Sequence, residues 1–328
     1  MVNMKILRIL FAVIAFIPIS VVADCRCSSN VKTSDIGVYV AEEKHADIER
    51  SECMKHSLVI PNVKVEREQS WKLVWSEEFN QDGRLDENTW NYENGFVRNE
   101  EMQWYQSDNA FCMNGCLVIE ARKEINRKNP HFEVGNKDWR KAREYIDYTS
   151  SSITTAGKKE FLYGCFEVRA KIPTAGGAWP AIWLLGSGMD WPSCGEIDMM
   201  EYYRIKGVPH ILANACWGTE RMWQAKWDSS AIPFMHFTSK DTSWAEKFHV
   251  WRMEWNNEVI KLYVDDELLN EIPLSETFNG SLGKGINPFR RPMYLLLYLA
   301  LGGINGGEVD DLALPMRYEV DYVRVYQK

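Results

Sequence analysis

The chain ends on YEVDYVRVYQK, residues 318–328, a run in which polar and apolar side chains alternate for most of its length. A period of two fits a half-buried β-strand and no helix. The same pattern fills GCLVIEARKE, LYGCFEVRAKI, HVWRMEW and VIKLYVDDELLNEI, while MYLLLYLAL is apolar throughout. Gly, Asn, Pro and Asp separate these runs, as in FNGSLGKGINPF and GGINGG, and a VDDE turn joins two of them as a hairpin. Helical periodicity hardly appears. Many short strands with alternating faces predict an all-β chain, a sandwich of two antiparallel sheets. NRKNPHFEVGNKDWRKAREY, from Asn126 to Tyr145, breaks the pattern and reads as a long surface loop, with a short helix around Asp138 to Glu144.

The 328 residues divide into three parts. Residues 1–23 place Lys5 and Arg8 before an apolar run from Ile9 to Ile19, with small Val21 and Ala23 at the end, which predicts a secretory signal peptide. The run is about half of what crosses a bilayer, so no transmembrane segment is expected. Secretion or export to the periplasm follows; a lipid anchor on Cys25 is the lesser alternative, because Asp24 is a poor residue before a lipidated cysteine. Residues 24–68 are polar and weakly periodic, an N-terminal extension, and residues 69–328 form the β domain.

Eight cysteines in an exported chain permit disulfides, whose pairing the sequence does not give. Cys25, Cys27 and Cys53 lie in the extension, Cys112 and Cys116 flank an MNG turn, and Cys165, Cys194 and Cys216 sit in apolar runs as small buried thiols. CxC and CxxxC spacings without a second pair do not make a zinc site. The formal net charge is −8, which excludes a phosphate-backbone partner and leaves neutral polymers open. GGINGG does not feed a helix, so it is no phosphate loop. Fourteen Trp, fourteen Tyr and thirteen Phe exceed the needs of a core and suit stacking on sugars.

WPSCGEIDMMEYY, residues 191–203, sets Glu196, Asp198 and Glu201 within six residues. A helix at about 100° per residue would place them near 0°, 200° and 140°, with Glu196 facing away from the others. A regular strand puts Glu196 and Asp198 on one face and Glu201 on the other. One extra residue at Met199–Met200, a β-bulge, returns all three to one face, and bulges are common beside active sites. The two glutamates are then about 13 Å apart at Cα. Leaning inward, their carboxyl groups approach the roughly 5–5.5 Å separation of a retaining glycosidase. Asp198 between them raises the proton affinity of one neighbour and orients the other. GGAWPAIWLLG and WPSCG bring Trp179, Trp183 and Trp191 alongside. The competing explanations are an acidic strand edge guarding against aggregation and a carbohydrate-binding sandwich without catalysis.

EIDMME, with WPAIW, GEIDMMEYY and FHVWRMEW around it, resembles the signature of glycoside hydrolase family 16 and its laminarinase-like branch, from about Trp71 to Gln327. That resemblance implies a β-jelly-roll with a concave cleft, Glu196 as nucleophile, Glu201 as general acid and then base, and Asp198 as their hydrogen-bonded assistant. Chemistry alone leaves open which glutamate plays which part. The resemblance also implies sugar contacts at Asn99, Trp179 and Trp191, with Arg98, Trp104, Tyr105 and Trp217 as further candidates. It implies no cofactor for the chemistry, and a structural Ca²⁺ away from the cleft near Glu78, Gly115 and Asp321. His249 reads as structural. The substrate expected is an internal β-1,3-linked glucan, acted on by a monomer. The alternative is a β-galactoside in poly-N-acetyllactosamine or mucin-type glycans, raised by Cys216-Trp217-Gly218 standing where many members have His-Trp-Gly.

Overall fold

A computed structural model describes residues 70–328. The signal peptide, the Cys25 anchor site and the extension expected over residues 24–68 lie outside the described residues. Seventeen strands follow in order: β1 (Lys72–Glu77), β2 (Asn91–Tyr92), β3 (Gln103–Tyr105), β4 (Ala110–Met113), β5 (Cys116–Lys128), β6 (Tyr145–Ser150), β7 (Ser152–Thr154), β8 (Gly164–Lys171) and β9 (Ala178–Gly186). After them come β10 (Glu196–Ile205), β11 (Val208–Gly218), β12 (Ala225–Pro233), β13 (His249–Trp255), β14 (Val259–Val264), β15 (Glu267–Pro273), β16 (Met293–Leu301) and β17 (Met316–Gln327). They pair into a ten-stranded sheet, ordered β15-β14-β13-β8-β17-β5-β6-β3 with β1 on β17 and β4 on β5, and a seven-stranded sheet, ordered β12-β11-β10-β9-β16-β7-β2. Every pairing is antiparallel except β3 with β6. This is the two-sheet sandwich that the alternating runs imply, and the jelly-roll that the family resemblance implies.

The inner faces meet in one core. Val323 and Val325 of the C-terminal run, Trp251, Met253 and Trp255 of β13, and Ile197, Met199, Met200 and Tyr202 of β10 are all buried there. Such rings and branched chains contribute about 1.5–3 kcal/mol each when fully covered. Strand β13 shows the strict alternation expected of a strand with one wet face. β9 and β16 do not: nearly every residue is buried on both faces. Their outer faces carry a second cluster of Tyr105, Trp179, Trp183, Leu296 and Tyr298, which floors the concave side.

Two local predictions are sharpened by the structure. VDDE is a two-residue hairpin, with Asp265 and Asp266 at φ of 46° and 68°, the left-handed pair that matches strand twist. The Asn126–Tyr145 loop is shorter than expected, because β5 continues through Lys128 and pairs with β6. Its helix, α1, spans Trp139–Ala142, and Asp138 caps it by accepting from the Arg140 N–H at 3.0 Å. Apolar Trp139 packs inward against Phe96 and Trp104, which closes the loop onto the sandwich.

β10 carries the bulge. Against β11, Asp198 pairs with Asn214 and Glu201 with Leu212; against β9, Asp198 pairs with Trp183 and Met200 with Ile182. Met199 is therefore the extra residue against β9, and against β11 Met199 and Met200 together face the single residue Ala213. Deleting Met199 should leave both registers intact and cost only the burial of one side chain, about 1.5–3 kcal/mol in denaturant unfolding. Met200→Asp, which would strand a charge between the sheets, should prevent folding. A deletion variant that cannot fold would show that the extra residue is structural rather than a spacer.

Candidate active site

Gly195 opens the acidic strand at φ +80°, and a Cβ there would stand 2.7 Å from Pro288 Cβ. Only glycine fits such a turn. From it the side chains of Ile197, Met199, Met200 and Tyr202 enter the core. Glu196, Asp198 and Glu201 share the opposite, concave face, and Tyr203 joins the floor cluster there. Two consecutive methionines on the core side are the mark of the bulge.

Indole donors hold the two glutamates. Trp191 Nε1–H donates to Glu196 Oε2 at 2.7 Å, and Trp179 Nε1–H donates to Glu201 Oε1 at 3.1 Å. Asn214 Nδ2–H reaches Glu201 Oε2 at 3.4 Å. Asp198 lies between them in the strand, buried, and its Oδ2 has no hydrogen-bond partner among the described residues.

Burial raises the proton affinity of all three carboxyl groups, and their unequal surroundings separate them. Asp198 is pushed well up by burial and then by the charges of Glu201 and Glu196. Glu196 is raised by burial, but the donors Trp191 and Asp198 and the Arg98 guanidinium pull it back. Glu201 is raised to about 7, first by burial and then by the charge of Glu196. A proton affinity near neutrality suits Glu201 to general-acid work, and Glu196, held by Trp191, is the partner carboxyl on the same face.

Around them the floor is aromatic and laced with polar groups. Trp179 meets Tyr203 edge-on at 5.6 Å, and Trp183 meets Tyr298 at 5.5 Å. The Arg98 guanidinium lies over Trp183 and Tyr298, at 5.2 and 5.9 Å from the ring centroids, and is ion-paired with Glu93. Glu101 is buried and accepts from Tyr105 Oη–H at 3.0 Å, Gln103 Nε2–H at 2.8 Å and Asn99 Nδ2–H at 3.3 Å. Arg98 Nη1 and Trp183 Nε1 are buried donors with no protein partner among the described residues, as a site that reads hydroxyl groups requires.

The structure thus brings Glu196, Asp198, Glu201, Trp179, Trp191 and Arg98 together. Asn99 stands one bond behind, through Glu101, and fully buried Tyr105 braces the floor rather than facing a ligand. Two sugar-contact candidates are placed elsewhere. Trp104 packs with Phe96 and Ile146 and stacks on His131, supporting the loop after β5. Trp217 is one residue past Cys216, which pairs with Glu196; it therefore points to the opposite face and packs edge-on to Phe289 in the core. Cys216 itself is not at a cleft edge but fully buried directly across from the nucleophile. His249 is structural as expected, bonded to Asp265 and to the Trp244 carbonyl at 2.8 Å, and stacked on Trp244 at 3.7 Å. Sequence reasoning missed Asn214 and Tyr298. Register alone reveals Asn214, and Tyr298 hides in an unbroken apolar run.

Near Glu78, Gly115 and Asp321 the carboxylates do not fit a cation as they stand. Arg324 Nε–H and Nη2–H donate to Glu78 at 2.9 and 2.8 Å, and Arg169 Nη1–H donates to Asp321 at 2.5 Å. Guanidinium groups already supply the positive charge, and Ca²⁺ would have to displace Arg169 to reach Asp321. Among the described residues no three His, Cys, Asp or Glu side chains gather as metal ligands.

A model of the glycosyl hydrolases of family 16 matches residues 98–324. The chain is 36% identical to a beta-glucanase of Rhodothermus marinus over 276 residues, 78% of this chain and 85% of that one. It is 31% identical to glucan endo-1,3-beta-glucosidase A1 of Niallia circulans over 275 residues, 78% of this chain but 38% of that longer protein. A solved structure from work on endo-acting O-glycanases, with which human gut bacteria initiate mucin breakdown, shares 36% identity at a TM-score of 0.68. It covers 78% of this chain and 91% of its own. With the family model matching residues 98–324 and a relative 36% identical over most of both chains, the chain belongs to the glycosyl hydrolases of family 16.

Proposed function

We propose that the chain is an endo-acting retaining glycosidase that cleaves internal β-1,3 bonds of a glucan. The observation that carries the chemistry is the pair of buried carboxyl groups on one bulged strand, Glu196 held by the Trp191 indole and Glu201 by the Trp179 indole and Asn214. Glu196 attacks the anomeric carbon, and Glu201 gives its proton to the departing glycosidic oxygen. Esterification of Glu196 removes the charge that raised Glu201, so the Glu201 proton affinity falls once the sugar is bound covalently. Glu201 is then a base, and takes a proton from the water that releases the sugar. Asp198 holds Glu196 in line. The relatives' glucanase activity supports the substrate.

A second reading, cleavage at a β-galactoside within mucin-type glycans, is favoured by the O-glycanase likeness and by buried Cys216 opposite the nucleophile. We further propose export through the N-terminal apolar segment, since polysaccharides of this size are met outside the cell.

A substrate screen decides between the two. Laminarin and mixed-linkage glucan should yield random mid-chain fragments by mass spectrometry while mucin glycans stay intact; the reverse would establish the second reading. On the cleaved polymer, Glu196→Gln should abolish turnover without loss of folding, and Glu201→Gln should lower kcat by about 10²- to 10⁴-fold. The pH profile should be bell-shaped. Activity falls above about pH 7 as Glu201 loses its proton, and falls in acid as Glu196, raised above the ordinary carboxylate value, gains one. An alkaline limb that persists in Glu201→Gln would assign that limb to another group.

A further inference from the structure

Beside Trp191 lies a cavity of about 240 Å³ whose other lining residues the reaction does not use. Trp191 forms part of its wall, and Arg221, Met222, Trp223, Leu282 and Lys284 form much of the rest. Three loops build it: the β9–β10 connection, the β11–β12 hairpin and the segment before β16. They are fastened to one another. Buried Asn279 accepts from the Gly218 N–H at 2.6 Å and donates to the Ser193 carbonyl at 2.8 Å, so one side chain ties all three. A Cβ on Gly280 would lie 2.5 Å from the Thr219 carbonyl carbon, so the second and third loops touch backbone to backbone. Glu220 accepts from the Ser281 N–H at 2.8 Å and from its hydroxyl. The hairpin is closed by Thr219, which accepts from the Arg221 N–H at 3.1 Å and donates to the Gln224 carbonyl at 2.9 Å.

What this scaffold displays is unusual for a solvent-facing surface. Met222 is 71% exposed, Trp223 63% and Leu282 52%, in a pocket continuous with a residue that holds the nucleophile. Trp223 sits at φ +60°, a left-handed conformation that bulky side chains rarely adopt. An indole held outward beside an active site is a platform for a sugar face. The charge is equally specific. Among the described residues neither Arg221 nor Lys284 forms an ion pair, although eighteen ion pairs occur elsewhere. The one carboxylate lining the cavity is Asp190, and neighbouring Glu220 is committed to Ser281. Two cations against one anion stand in a chain of net charge −8.

We propose that this cavity is a lateral subsite for a sugar unit bearing an anionic group, stacked on Trp223 with its sulfate ester or carboxylate held by Arg221 and Lys284. The proposal rests on the glycosidase reading in taking the ligand to be part of a bound glycan, but not on which backbone is cut. It makes the enzyme one that selects decorated chains: a substituent seated here adds binding remote from the scissile bond.

The test is an NMR titration of the intact chain, following the Trp223 indole N–H and the Arg221 Nε–H. The probes are galactose 6-sulfate, N-acetylneuraminate and glucuronate, against neutral galactose and glucose. At least one anionic sugar should shift both signals and saturate at about a tenfold lower concentration than the neutral sugars. A response to galactose 6-sulfate alone identifies a sulfate ester; a response to the other two alone identifies a carboxylate. Arg221→Gln/Lys284→Gln should lose the anionic preference while kcat on laminarin is unchanged. Equal responses to neutral and anionic sugars, no shift at Trp223, or a preference that survives the double substitution would each overturn the subsite. Failure to cleave laminarin would instead remove the glucanase reading, and the titration would still report on the cavity.

Discussion

One unpaired residue in one strand governs the site. Three carboxyl groups at spacings of two and three cannot share a face of a regular strand. Met199 takes up the odd step by sending a second consecutive side chain into the core. The cost of the irregularity is small because both methionines remain buried and the register on either side resumes at once. In a regular strand that kept all six residues Glu201 would be driven between the sheets, where an uncompensated carboxylate is not tolerated.

That placement turns a liability into chemistry. Like charges gathered on the floor of a cleft repel, and the least costly arrangement is for some of them to keep protons. The indoles of Trp191 and Trp179 and the amide of Asn214 hold the two glutamates and temper the effect of burial, while Glu201 stays raised to about 7 by burial and by its neighbour's charge. Covering both faces of β9 and β16 serves the same end, since the floor cluster keeps water from one side and the core from the other.

The sheets were legible because a period of two is written into almost every segment, from HVWRMEW to the terminal strand, and the bulge followed from an odd spacing that no regular strand accepts. The flanking contacts were harder. Trp217 carries the right side chain for a sugar platform, yet its face is fixed by register against Glu196, which a single strand's sequence does not contain. Trp104 was misjudged for the same reason: its partners, Phe96 and His131, come from distant segments. Asn214 reaches Glu201 through the pairing of β10 with β11, and Tyr298 meets Trp183 through the pairing of β16 with β9. Carboxylates near Asp321 look like ion ligands until Arg169 and Arg324 are seen beside them.

The most direct test of the carboxyl pair is the anomeric configuration of the first-formed product, followed by ¹H NMR faster than mutarotation. Two groups close enough for nucleophilic attack and protonation on one glycosidic bond must release the β-anomer first, with the α-anomer appearing only as the solution equilibrates. Initial release of the α-anomer would mean that water attacks directly across a wider gap, and would contradict the account of Glu196 as a nucleophile.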